Sequence, residues 1–493
     1  MSRSRWWALA AVFTLAAATR LWVLLSGGGP LDAASYDQSV YYAAAAALVH
    51  GHFPYHGDFV FVHPPVVALA GTPFAVLARL TDDVTGFVAE NVAFAVIGAV
   101  NAVLVVVVAR AWTLGRGAVA AGLTYALWPV GYVAESTARL EPLGNLLFLL
   151  FLWAYGHGRS GRARALVLAG VPLGLLVNVK LWWSAPVLVV IVLVGFHARK
   201  LRVLLVPVAV AAATGLLVDV PFLVVAGPRM LRSIVTAQLH RPDRQWTSGG
   251  RYVHLSVTQR LEQLLGASEL VVVLLLAAFV VTAVLACRGW VGRIFVVVLA
   301  VQVAVLLAAP VVYPYYAGYV AVAGSLVIAA AAGRRIPRPA RVAPWGWAVA
   351  AGLATVLTFR TLSAPLSEVD WQALRAETAH AHCVVADSPL LLIRLHALDR
   401  SFATGCRDVV DLQGISYGAG PDPEARATLW SGTPAYRRFV GAYLLSGDAV
   451  VLGDYYVRVR IGHDNRRLLA QRPLIGSSGN VVVRAVTGTR SGR

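Results

Sequence analysis

Long apolar runs alternate with short polar connections from the N-terminus to about residue 360, where the pattern stops. A helix needs about 20 residues to cross a hydrocarbon core of about 30 Å. On that measure the runs predict about eleven membrane helices, at about 7–25, 88–108, 118–134, 143–156, 165–178, 184–197, 203–226, 268–286, 293–310, 316–333 and 344–360. Their middle positions read as almost all aliphatic, with polar residues gathered at one face of the membrane. Two connections are long, 26–87 and 227–267, and long connections beside a membrane are commonly functional. In the first, Ser35 to Val49 predicts an interfacial helix, and a second segment starts at Pro64. Beyond residue 361 hydropathy falls, and short β-like runs at Cys383–Asp387, Val409–Asp411 and Ala449–Leu452 alternate with helical stretches. The chain thus divides into a polytopic α-helical membrane domain, 1–360, and a small α/β domain, 361–493.

Charge gives these helices a direction. With the N-terminus inside, the inner connections hold sixteen basic residues: Arg3, Arg5, Arg110, Arg116, Arg159, Arg162, Arg164, Arg199, Lys200, Arg202, Arg288, Arg293, Arg334, Arg335, Arg338 and Arg341. The short outer connections hold Arg139 and Lys180, and 26–63 and 311–315 hold none. The positive-inside rule therefore places 26–87, 227–267 and, after an odd number of spans, the C-terminal domain outside the cytoplasm. The net charge of +18 is mostly this topology signal, and its dispersal among membrane loops argues against nucleic acid as partner. A composition of 58% hydrophobic and 13% charged residues is too apolar for a soluble protein. The first run is long for a signal peptide and ends without an A-x-A-like site, so it reads as a retained anchor. Only Lys180 and Lys200 are lysines among 42 basic residues, a bias that suggests a GC-rich bacterial genome and hence a bacterial plasma membrane. Outside the cytoplasm Cys383 and Cys406 are a plausible disulfide, while Cys287 falls at a cytoplasmic helix end as a free thiol.

The chemistry-bearing residues lie in the outer connections. Asp37, soon after the first span, would stand just above the lipid headgroups; as part of a Ser35–Gln38 capping box it has a purely structural explanation as well. Glu141, in the turn Glu135–Pro142 with Arg139, is either a helix-start acid or part of a site, since ionisable residues at membrane depth are costly. Lys180, beside Trp182 and Trp183, either snorkels or binds phosphate. The loop 227–267 carries Arg229, Arg232, Gln238, His240, Arg241, Arg244 and Arg251 against the positive-inside trend, which points to an anion, with a solvated basic loop as the alternative. His50, His52, His56 and His63 could bind a metal, but histidines scattered in a loop are more often solvated. No Walker motif, H-E-x-x-H or paired C-x-x-C is present, so ATP use, zinc proteolysis and structural zinc lack their signatures.

Together, Asp37 after the first helix, His63-Pro64-Pro65, Arg139-x-Glu141-Pro142, Asn178-x-Lys180-x-Trp182 and an outer C-terminal domain resemble the GT-C superfamily of polyprenyl-phosphate-sugar-dependent glycosyltransferases. The likeness covers about residues 7–335 and looks nearest to actinobacterial proteins of the family 39 and family 87 type, relatives of protein O-mannosyltransferases and of the aminoarabinose transferase of lipid A. It implies a GT-C fold and an inverting transfer of mannose or a pentose from a lipid monophosphate to a lipid, glycan or protein acceptor. In that reading Asp37 is the general base, with Asp32 as its alternative. Glu141 orients the acceptor or, with Asp37, a divalent cation such as Mg or Mn. Lys180 and Arg241, with Arg139 and His240, hold the departing phosphate, and Gln38, Tyr41, His63 and Gln238 support the acceptor or the site. Many relatives have Asp-Glu where this chain has Asp37-Gln38, so an acidic pair for a metal is absent here. A transporter or flippase, or an inactive scaffold, competes with this reading; paired repeats and broken helices near the midplane would favour transport.

Overall fold

The computed structural model describes residues 3–26, 29–31, 36–239, 245–246, 252–332, 342–359, 369–407, 409–415, 434–453 and 461–486. Each expected span coincides with helix: α1 (Arg3–Leu25), α4 (Asp83–Ala111), α5 and α6 (Ala118–Leu127, Pro129–Ala134), α7 (Leu140–Gly158), α8 (Ala163–Val177), α9 (Ser184–Ala198) and α10 (Leu201–Ala226), then Glu269–Ala286, Trp290–Ala308, Gly318–Ala330 and Ala343–Phe359. Six of the helices among the described residues are long and apolar enough to cross a membrane. The chain forms two compact units, each assembled from three segments.

The first unit comprises Met1–Ser26, Asn91–Val218 and Asp243–Ala364. One expected span is broken here. Pro129 lacks an N–H and drives Trp128 extended, so the apolar run 118–134 becomes α5 and α6 rather than one helix. Carbonyls freed at the break are taken up by side chains: Ala126 O accepts from Thr19 and Arg20, and Leu127 O from Thr355. In lipid every such carbonyl needs an internal donor.

The aliphatic reading of the span interiors needs correction in the same region. Glu135, at the end of α6 and 1% exposed, accepts from Arg20 of α1 (2.6 Å), Asn101 of α4 (2.9 Å), Asn145 of α7 (3.0 Å) and the Tyr125 hydroxyl of α5. Four helices thus converge on one carboxylate. A Cβ at Gly98 would meet Arg20 Nε at 2.6 Å and Glu135 Cβ at 2.9 Å, so glycine there is what lets α4 approach.

The second unit comprises Gly27–Glu90, Asp219–Pro242 and Pro365–Arg493. The helix expected to lie in the interface, α2 (Tyr36–Val49), is packed inside this unit: Gln38 through Ala47 are all buried. The alanine run Ala43–Ala47 explains this. Small side chains let α3 (Val66–Leu80) come so near that a Cβ at Gly71 would meet Ala45 Cβ at 2.8 Å. Four strands, β1 (Val384–Ala386), β2 (Ala449–Leu452), β3 (Leu474–Ser478) and β4 (Val481–Ala485), form a sheet in the order β1-β2-β4-β3. β1 and β2 are parallel and the other pairs antiparallel. The third run expected as a strand, Val409–Asp411, is not one: Asp411 caps the helical turn Leu412–Gly414 and bends the chain away. Val60 and Val62 of the first long connection share a core with Val385, Leu412, Val440 and Val450. Cys383 and Cys406 form a disulfide, with Cα atoms 5.6 Å apart, and Cys287 is free.

Breaking a buried ion pair by removing one partner typically costs about 3–5 kcal/mol, and we expect Glu135→Ala and Arg20→Ala each to do so. Their double variant should lose clearly less than the sum of the two, as measured by thermal unfolding in detergent.

Candidate functional site

Each unit presents its own group of the candidate residues. In the first, the 3₁₀ turn Pro314–Ala317 displays Tyr315 and Tyr316 with ring centroids 5.1 Å apart. The Arg139 guanidinium lies 4.4 Å from the Tyr315 centroid. Lys180 Nζ lies 4.0 Å from Tyr316 and 3.7 Å from Trp182. Two cations from separate loops therefore meet one aromatic platform, each attracted to a ring face. The Lys180 loop is fixed from below: the Tyr319 hydroxyl donates to Trp182 O (2.7 Å), and Trp183 packs edge-on to Tyr319 at 4.7 Å. Gly144 makes room for Trp183, since a Cβ there would meet its Nε1 at 2.6 Å. Arg139 Nε is buried and has no hydrogen-bond partner among the described residues.

Glu141, 4% exposed, stands on the first turn of α7 beside the same platform. Its Cβ and Cγ lie 3.0 Å from where a Cβ on Gly318 would be, one residue past the 3₁₀ turn. Asn145 Nδ2 donates to both Glu135 and Gly318 O, so the buried carboxylate also anchors this end of the site. From Ala317 onward an apolar cavity of about 210 Å³ opens between the helices, lined by Trp128, Leu264, Phe279, Val320 and Trp347.

In the second unit Asp37 is half-buried on the first turn of α2, and Gln38 is fully buried behind it. Tyr41 Oη and His63 Nε2 are 3.4 Å apart, with the rings edge-on at 5.2 Å. Gln238 donates to Val62 O at 3.0 Å. Tyr41, His63 and Gln238, distant in sequence, are thereby brought together. Arg229 and Arg232 are exposed. Asp32, Ser35, His240, Arg241, Arg244 and Arg251 lie outside the described residues. Among the described residues no three His, Cys, Asp or Glu side chains gather as metal ligands.

Glu90 and Asp411 are among the buried acids of this unit that escaped the sequence reading. Glu90, on α4, is fully buried, and neither carboxyl oxygen has a hydrogen-bond partner among the described residues. Its signal was legible: an acid inside an apolar run. Asp411 had no such signal. It is 5% exposed, and burial, reinforced by the charge of Asp37, pushes its carboxyl up to about 6 against the hydrogen bonds from Gly414 and Tyr36.

No family model and no curated protein matches the chain. Solved structures do. ArnT from Cupriavidus metallidurans, bound to undecaprenyl phosphate, aligns over 99% of both chains with a TM-score of 0.57 at 14% identity. The Archaeoglobus fulgidus oligosaccharyltransferase in its apo form aligns over 98% of this chain and 75% of its own, with a TM-score of 0.59 at 14% identity. The same organism's AglB, in complex with an inhibitory peptide and a dolichol-phosphate, covers 97% and 75% at a TM-score of 0.53 and 13% identity. At these identities the likeness is one of fold. The chain has the GT-C fold, in a multi-pass membrane protein that also carries a small C-terminal sheet.

Filling Gly318 tests the packing behind Glu141. Gly318→Val is expected to cost about 1–3 kcal/mol by overpacking, read as a fall in the thermal midpoint.

Proposed function

We propose that this chain is an inverting glycosyltransferase that moves a sugar, mannose or a pentose, from a polyprenyl phosphate to a lipid, glycan or protein acceptor outside the cytoplasm of a bacterium. The observation behind this reading is the pairing of Arg139 and Lys180 on adjacent tyrosines, next in sequence to Ala317, which lines an apolar cavity. A phosphate joined to an isoprenoid chain is a ligand with those two chemistries. The solved structures of like fold bound to undecaprenyl phosphate and to a dolichol-phosphate support the same class of donor.

The roles divide as follows. Asp37 accepts the proton of the acceptor hydroxyl as its oxygen attacks the anomeric carbon. The bond from that carbon to the phosphate oxygen breaks, and polyprenyl phosphate leaves. Lys180 and Arg139, with Arg241 and His240 as further candidates, stabilise the charge that builds on the phosphate. Glu141 orients the acceptor. Tyr41, His63, Gln38 and Gln238 support the Asp37 region. Asp37 and Glu141 are the carboxylates that the family resemblance offers to a divalent cation, and among the described residues no three-ligand set gathers. The broken helix α5–α6 has the form a transporter would use, yet its freed carbonyls are capped by side chains rather than left for an ion.

Purified protein in nanodiscs, given radiolabelled polyprenyl-phosphate mannose and a membrane extract with and without EDTA, is expected to pass label to a lipid, glycan or protein. Failure across a panel of donor sugars, with the protein folded, would move the assignment to transport or scaffolding. Asp37→Asn should fold normally and lose about 10²–10⁴-fold in turnover. Retained turnover would remove Asp37 from the role of base. Lys180→Met should lower kcat/KM for the lipid donor about 10²-fold, with Lys180→Arg losing less.

A further inference from the structure

The C-terminal segment reaches α2 at both ends. Past its C-terminus, His50 Nε2 and Asp399 Oδ1 are 2.6 Å apart. Ahead of its N-terminus, Arg394 Nη2 donates to Leu31 O at 2.9 Å. At the first turn itself, the Tyr36 hydroxyl donates to Asp411 Oδ1 at 3.2 Å and accepts from the Gln413 N–H at 3.1 Å. Tyr36 also packs against the core formed by Leu412, Tyr436 and Val440. The residue next to Tyr36 is Asp37.

Asp411 is an odd choice for a cap alone. Its carboxyl accepts from Gly414 N at 2.8 Å, a bond that Asn or Ser would make equally well. As an acid it sits buried, and the groups acting on it are the amides of Gly414 and Gln413, the Tyr36 hydroxyl and the negative charge of Asp37. With its folded-state value raised to about 6, above the ordinary carboxylate value of 3.8, the folded chain binds a proton more tightly than the unfolded chain. Stability therefore rises as pH falls from about 6 towards the ordinary value, and the ionised form is a standing cost at neutral pH. Groups held at such a cost are concentrated at functional sites.

We propose that Asp411 is a positioning residue for Asp37: through its hydrogen bond with the Tyr36 hydroxyl it holds the first turn of α2, which bears Asp37. The C-terminal segment is then part of the machinery for this reaction rather than an appended module. This rests on the reading of Asp37 as the base.

The test compares wild type with Asp411→Asn, Tyr36→Phe and Asp37→Asn. A carboxamide in place of the Asp411 carboxyl keeps the acceptor for Gly414 and Tyr36, so at about pH 8 Asp411→Asn should melt at least about 2–4 °C above wild type, the difference vanishing as the pH falls towards the ordinary carboxylate value. Asp37→Asn should move the midpoint of that pH dependence below its wild-type position, because the like charge is gone. With polyprenyl-phosphate mannose as donor, Asp411→Asn and Tyr36→Phe should each lower kcat about tenfold or more while KM for the donor stays within about twofold. A lower melting point for Asp411→Asn at about pH 8, or a pH dependence indifferent to Asp37→Asn, overturns the juxtaposition. Unchanged kcat in both Asp411→Asn and Tyr36→Phe overturns the positioning role. If Asp37→Asn itself retains turnover, the base assignment fails, while the melting arm still decides whether the two carboxyls act on each other.

Discussion

A carboxyl group buried among apolar helices must be met by enough hydrogen-bonding partners, or its burial is too costly to sustain. Glu135 meets that demand with Arg20, Asn101, Asn145 and Tyr125, one from each of four helices. The need to satisfy this single group fixes how α1, α4, α5 and α7 approach one another around α6. It also reaches outward, because Asn145 bonds Gly318 O and so ties the buried network to the start of the helix that follows the tyrosine platform. The Arg139–Glu141 turn begins four residues after Glu135. Its position is thus inherited from the interior rather than made at the surface.

The same logic, applied to backbone groups, accounts for the irregular places. Pro129 breaks a helix and leaves carbonyls without their usual donors, and Thr19, Arg20 and Thr355 supply replacements. At the far end of Trp290–Ala308, Arg260 donates to Ala309 O. A soluble protein could leave such carbonyls to water. Here side chains take that part, and their cost is a set of polar residues inside apolar runs. These residues act as structural caps.

In the second unit the constraint is steric instead. The run Ala43–Ala47 and Gly71 allow α2 and α3 to pack at a spacing that larger side chains would forbid. That buries the helix that bears Asp37 and leaves only its first turn partly open. A rigid, enclosed helix with one half-buried acid at its end is a suitable support for a general base, whose reach to a substrate hydroxyl must be held within tenths of an ångström.

The sequence by itself determined the apolar helical runs, their approximate ends and two strands of the small C-terminal sheet, because these follow from periodicity and transfer energy that are local in the chain. It also marked Arg139, Glu141, Lys180 and Asp37 as residues needing an explanation, since each is polar at an apolar boundary. Only the tertiary structure decided their company. Nothing local announces that Arg139 and Lys180 share adjacent tyrosines, that Glu135 is an anchor while Glu141 stands at the platform, or that α2 is enclosed from Gln38 to Ala47. Asp411 is the clearest case: it lies 374 positions from Asp37 in the numbering, in a run that reads as a strand, and only long-range packing brings its carboxyl against the hydroxyl of Tyr36, the neighbour of Asp37. Contacts of that kind depend on which distant segments fold into one core, a choice made by the whole set of side chains at once.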